Sequence, residues 1–227
     1  MSGFTDPILS IENWSAISQD APVDGIISLF ETSGNSFPLT LDATLKASER
    51  LHIYFTLDGS GKVEFFVIPA ASDQKINKSI YSDGLYPVPL GVAQKTIANP
   101  NKNELVTWIN NWCNETMRNA WLTNITKAPQ VLVIHTTDFV VNDLHNCYLA
   151  LKPNTNPQTQ SKYALDLVIE NTVTGMFLNV EEPTTNASDA LGAQFADMAR
   201  PVPPFGQDGH ASTNQSNFGI LEIMEID

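Results

Sequence analysis

The chain has 227 residues, 42% of them hydrophobic and 16% charged, with 12 Lys and Arg against 25 Asp and Glu for a formal net charge of -13. That apolar content is too high for a disordered chain, and the length supports a core without disulfide staples. So acidic a balance also argues against nucleic acid, whose phosphates require clustered Lys and Arg. The charge is unevenly placed. From Tyr163 to Asp227 ten acidic residues face one basic residue, Arg200, so this last part carries -9 of the total. Such a surface is suited to a cation or a basic protein partner, or simply keeps the chain soluble.

Residues 1–22 read as a weakly ordered lead-in, with Asp6-Pro7 and Asp20-Ala21-Pro22 as breakers, followed by a single domain over 23–227. The N-terminus lacks the charged and apolar regions of a signal peptide, and no stretch is apolar enough to span a bilayer, so a cytoplasmic protein without a membrane partner is expected. Gly25–Phe30 and Leu39–Leu45 suit strands. Leu51, Ile53, Phe55 and Leu57 alternate with His52, Tyr54 and Thr56, and Asp58-Gly59-Ser60-Gly61 then supplies turn residues before Val63, Phe65 and Val67 resume the pattern. This is the strongest hairpin in the sequence. The outward residues, His52 among them, are expected to decorate a sheet surface.

Periodicity is lost over Ala71–Lys102, a long connection in which Tyr81 and Tyr86, beside a stiff Pro-x-Pro segment, are candidate recognition residues. One long amphipathic helix is expected over about 103–122, opened by Asn103. Leu105, Trp108, Ile109, Trp112, Cys113, Met117, Ala120 and Trp121 form its apolar stripe, and Asn110, Asn111, Asn114, Arg118 and Asn119 its polar face. Val131–Ile134 reads as a doubly buried strand. His145–Leu151 and Tyr163–Glu170 read as strands, and Asn171–Gly175 as a second hairpin turn leading to Met176–Val180. A shorter helix is expected over about 187–199, ended by the prolines that follow Arg200, and Phe218–Ile226 reads as a closing strand. Strands in runs with segregated helices imply an α+β fold, a mostly antiparallel or mixed sheet with the long helix docked on it.

Familiar catalytic motifs are missing: there is no glycine-rich phosphate loop, no His-Glu-x-x-His and no Gly-x-Ser-x-Gly. One local cluster remains, His135, Asp138, Asp143, His145 and Cys147. Imidazole and carboxylate together suit a divalent metal ion or a general base held by an acid, which makes His135, Asp138, Asp143 and His145 the catalytic candidates and Asp143 with His145 the metal candidates. Glu181 and Glu182 form an acidic pair able to hold calcium. Cys113 and Cys147 fit no metal spacing and are expected as reduced, buried thiols. Six Asn-x-Ser/Thr sequons follow from the abundance of Asn and Thr and carry no argument for glycosylation without a leader.

The leading functional expectation is a non-enzymatic binding or assembly protein that uses the segments 71–102 and 201–217 as recognition elements. The alternatives are a hydrolase or metal-dependent enzyme built on the His/Asp cluster, and a small-molecule carrier whose pocket lies between the sheet and the Trp108, Trp112 and Trp121 stripe.

Overall fold

In a computed structural model of the chain, the described residues are 6–20, 22–73, 85–91, 103–125, 128–137, 139–154, 161–178, 200–202, 218 and 220. The chain begins with α1 (Pro7–Asp20) and α2 (Val23–Ser33), then β1 (Ser36–Thr40), the short α3 (Ala43–Ala47), β2 (Arg50–Leu57), β3 (Val63–Pro69), a 3₁₀ turn at Ala70–Ser72 and β4 (Tyr86–Pro89). It continues with α4 (Asn103–Cys113), α5 (Glu115–Asn124), β5 (Val131–His135), β6 (Leu144–Pro153), β7 (Tyr163–Asn171), β8 (Met176–Phe177) and β9 (Arg200–Val202). The fold is α+β, and no described helix is long and apolar enough to cross a membrane.

Two antiparallel sheets face each other, one in the order β1-β6-β7-β8 and the other β4-β3-β2-β5-β9. A bridge between Ser36 and Gly91 joins the edge strands β1 and β4, so the sheets fold over one another at that side. Strand alternation fills the space between them. Phe37, Cys147, Leu149, Leu167 and Ile169 from one sheet meet Leu51, Ile53, Phe55, Phe65 and Ile134 from the other, all buried in one apolar cluster. The opposite faces are covered as well. On the four-stranded sheet, Leu105, Trp108 and Ile109 of α4 pack on Tyr148, Ala150, Val168 and Phe177. On the five-stranded sheet, Ile8 and Ile11 of α1 pack with Leu85 and Ile220 over Tyr54, Phe66, Ile68 and Val131.

This double cover explains several departures from expectation. Residues 7–20 are not a loose lead-in, because Asp6-Pro7 starts a helix: the Asp6 carboxylate accepts from Ile8 N at 3.0 Å, and Pro7 occupies the first helical position, where its missing N–H costs nothing. Trp14 then enters the central core, stacked on Phe55, with its indole N–H bonded to Pro129 O at 2.9 Å. Gly25–Phe30 lies in α2 and not in a strand, since a six-residue apolar run suits either and the buried pair Ile26 and Phe30 is helically spaced. Leu39–Leu45 divides between β1 and α3, because Asp42 caps α3 by accepting from Leu45 N at 2.8 Å.

The long helix over 103–122 is two helices. Asn114 leaves the helical conformation and caps α5, its side chain accepting from Met117 N at 3.1 Å. That break re-phases the second half: Arg118, placed on the solvent face by a continuous helix, is buried beside Trp121 and Leu122. Cys113, expected in the core, is exposed at the junction, whereas Cys147 is buried. His52 is fully buried, because α1 and the C-terminal residues cover the face it decorates. Arg200–Val202 pairs with β5 as β9. The helix expected over 187–199 and the strand expected over 218–226 lie outside the described residues, apart from the buried Ile220 and the neighbouring Phe218.

Candidate functional site

The cluster of His135, Asp138, Asp143 and His145 is divided by the topology. His135 ends β5 of the five-stranded sheet, opposite Arg50. His145 lies in the middle of the four-stranded sheet, between Leu39 of β1 and Asn171 of β7. It is fully buried with its ring against Phe139 at 4.7 Å, on the face that Cys147 shares. Neither of its ring nitrogens meets hydrogen-bond geometry. Burial pushes its pKa down, and the backbones of Asp143 and Leu39, together with the Asp143 charge, oppose that without reversing it. Asp143 instead accepts from Asn171 Nδ2 at 2.7 Å. Asp138, Tyr81, Glu181 and Glu182 lie outside the described residues. Among the described residues no three His, Cys, Asp or Glu converge on a metal position. The three tryptophans of the expected carrier pocket are buried, Trp108 against the sheet and Trp112 and Trp121 in the central core.

What the 136–144 loop does build is a surface. Lys46 Nζ bonds the carbonyls of Thr136 and Thr137, Thr136 N bonds Glu49 O at 3.1 Å, and Phe139 N bonds Thr136 O at 3.1 Å. At its far end Asn142 takes a left-handed backbone (φ 65), which asparagine tolerates, and donates its N–H to Leu41 O at 2.9 Å. The loop is tied at both ends. Beside it lies the β7–β8 turn, whose Thr172 bonds Leu144 O through both N–H (2.9 Å) and hydroxyl (2.7 Å).

On and beside these two fixed turns Val140, Val141, Leu144, Val173 and Met176 all stand exposed, Val173 at 70% and Met176 at 60%. Among the described residues the other large exposed apolar side chains are Leu9 and Tyr86, the latter on β4 where it had been expected as a recognition residue. Five exposed apolar side chains near one end of the four-stranded sheet, on segments held by backbone hydrogen bonds, differ from scattered surface leucines, which need no explanation. Alternation alone does not reveal them, because three of the five residues lie in turns.

Two buried polar clusters leave no signal in the local sequence pattern. His52 Nδ1 lies 2.6 Å from Asp73 Oδ2, which Tyr54 OH also bonds, while Asp73 Oδ1 accepts from Ile220 N at 3.1 Å and Phe218 covers the imidazole at 4.7 Å. All four polar groups are buried, so Asp73 fastens the C-terminal residues to β2. On the other sheet Tyr148 OH donates to Glu170 Oε2 at 2.9 Å under α4, and burial raises the phenol's pKa. Beside it, burial pushes Asp166 up to about 6 despite its ion pair with Lys152. Asp73 follows the aperiodic start of the 71–102 connection, which gave no signal of its partners.

No protein-family model, no curated protein and no solved structure matches the chain.

Proposed function

We propose that the protein is a binding module that docks a basic protein surface through the apolar end formed by Val140, Val141, Leu144, Val173 and Met176. The observation that carries this reading is the exposure of five large apolar side chains on and beside two turns fixed by backbone hydrogen bonds. A prepared surface of this kind binds without the entropy cost of ordering a loop. Charge supports the choice of partner. Two copies of a chain carrying -13 repel one another, whereas a basic partner is steered toward it.

The test compares this end with the opposite turn. A photo-reactive benzoylphenylalanine at the exposed Thr174, introduced in the source cells, is expected to cross-link a protein through a segment rich in Lys, Arg and apolar residues. The same probe at the exposed Ser60 in the β2–β3 turn is expected to give little. With the captured partner purified, Val173→Ser combined with Met176→Lys is expected to weaken binding by about 30-fold, since buried apolar anchors dominate interface energies. Cross-links of equal yield at both turns, or capture of a second copy of this chain, contradict the reading.

A further inference from the structure

We propose that Arg118 anchors a second site, one for a phosphate or other small oxyanion, at the junction of α4 and α5 beside Cys113. Arg118 is 9% exposed, its Nε is out of reach of solvent with no acceptor, and among the described residues no carboxylate pairs with its guanidinium. Arginine stays charged in any protein environment, so it cannot escape this position by losing a proton. A charge so largely shielded from water, with no counter-charge beside it, is costly, and only the ends of its fork reach solvent. An anion from solution resolves it.

The surroundings are rich in donors. Trp112, the residue before Cys113, buries its indole N–H without an acceptor and packs on Trp121, which shares the inward face of α5 with Arg118. Asn35 points its amide at the junction, where it donates to Cys113 Sγ at 2.7 Å. The guanidinium also lies near that sulfur. Burial raises the thiol's pKa, while the Asn35 amide and the Arg118 charge pull it back. Cys113 itself is exposed and gives the junction an opening to solvent. Arginine's planar fork matches two oxygens of a phosphate or a carboxylate.

The site is independent of the apolar end, and its test does not require a partner protein. At matched ionic strength, inorganic phosphate is expected to raise the Tm of the wild-type protein by about 5 °C over chloride. Arg118→Met is expected to lose that rise while keeping, without phosphate, a Tm equal to or above wild type, because a hydrophobe replaces an unpaired charge. Any general salting-out by phosphate appears in both proteins and cancels. Arg118→Lys, which keeps the charge and loses the fork, is expected to retain a smaller rise. Acetate in place of phosphate separates the two oxyanions, and with its smaller charge it is expected to give the smaller rise. Alkylation of Cys113 by iodoacetamide is expected to slow about threefold as phosphate fills the site, in wild type only. An equal phosphate effect in wild type and Arg118→Met overturns the proposal. So does a fall of about 10 °C in the Tm of Arg118→Met without anion, which would reveal a partner for the guanidinium within the chain.

Discussion

The β2–β3 and β7–β8 hairpins are closed by the same local chemistry and present opposite surfaces. In the first turn Asp58 Oδ1 accepts from Ser60 N and Lys62 N, both at 2.8 Å, and Gly61 sits at φ 80. In the second, Asn171 Oδ1 accepts from Val173 N at 2.9 Å and Thr174 N at 3.1 Å, and Gly175 sits at φ 67. An Asx side chain mimics a missing turn of backbone and a glycine absorbs the positive φ in each. What differs is the exposed residue: Ser60 and Lys62 in one, Val173 and Met176 in the other. Turn geometry therefore does not call for Val173 and Met176.

The anchors are where this parallel breaks most strongly. Asp58 lies at the surface, and although burial alone would raise its pKa, the bonds from Lys62 and Ser60 hold it below its ordinary value. Asn171 is buried, and its amide also donates to Asp143 Oδ2, tying the turn to the 136–144 loop. Asn171→Ala leaves two N–H groups and a half-buried carboxylate oxygen without partners, and is expected to cost about 3 kcal/mol in chemical denaturation. Asp58→Ala is expected to cost about 1 kcal/mol, because water replaces the carboxylate. Equal costs would mean that the apolar end is no better fixed than the polar one.

Acid is expected to separate the two ends next. His145 sits opposite Asn171 behind the apolar end, and its folded pKa lies below its unfolded value of 6.5. The unfolded chain then binds more protons, so stability from this group is present above pH 6.5 and is lost as pH falls below it. Behind the Asp58 turn the pair Leu57 and Val63 does not titrate. Global stability blurs this, because Asp166 on the same sheet runs the other way: with a folded pKa of about 6 against 3.8, its contribution declines as pH rises from 4 to 6, by on the order of 3 kcal/mol. Asp166→Asn removes that counter-slope. In this variant, amide exchange at 139–144 and 171–176 is expected to accelerate between pH 7 and 5, after correction for intrinsic rates, while 58–62 stays flat. Parallel acceleration at both ends would remove His145 from the account.

Legibility of the molecule follows the same division between local pattern and tertiary cover. Both hairpins were readable, since alternation and turn residues act within a few positions of each other. Asp6-Pro7 misled because the pair that breaks one element also starts another, and only the docking of Trp14 and Ile11 shows which. Asn114 hid among other asparagines on a helical face, and with it went the phase of Arg118. His52 was assigned to the correct face of its strand, but nothing local indicates that α1 and Ile220 cover that face. The cluster at 135–147 has its two histidines parted for a related reason. Thirteen residues suffice for the chain to leave one sheet and enter the other, so closeness in sequence placed His135 and His145 in different layers.

The smallest test asks whether the two turns share their geometry and nothing else. A Cβ added to Gly61 or Gly175 would meet no atom within 4 Å, so only the backbone conformation resists substitution at either site. Alanine in the left-handed region costs about 1 kcal/mol, and Gly61→Ala and Gly175→Ala are each expected to lose that amount in chemical denaturation. Equality of the two values, within a few tenths of a kcal/mol, would leave Val173 and Met176 with no part in holding their own turn. A markedly larger loss at Gly175 would mean that the apolar side chains brace the hairpin, and their exposure would then be a folding feature and no longer an argument for a partner.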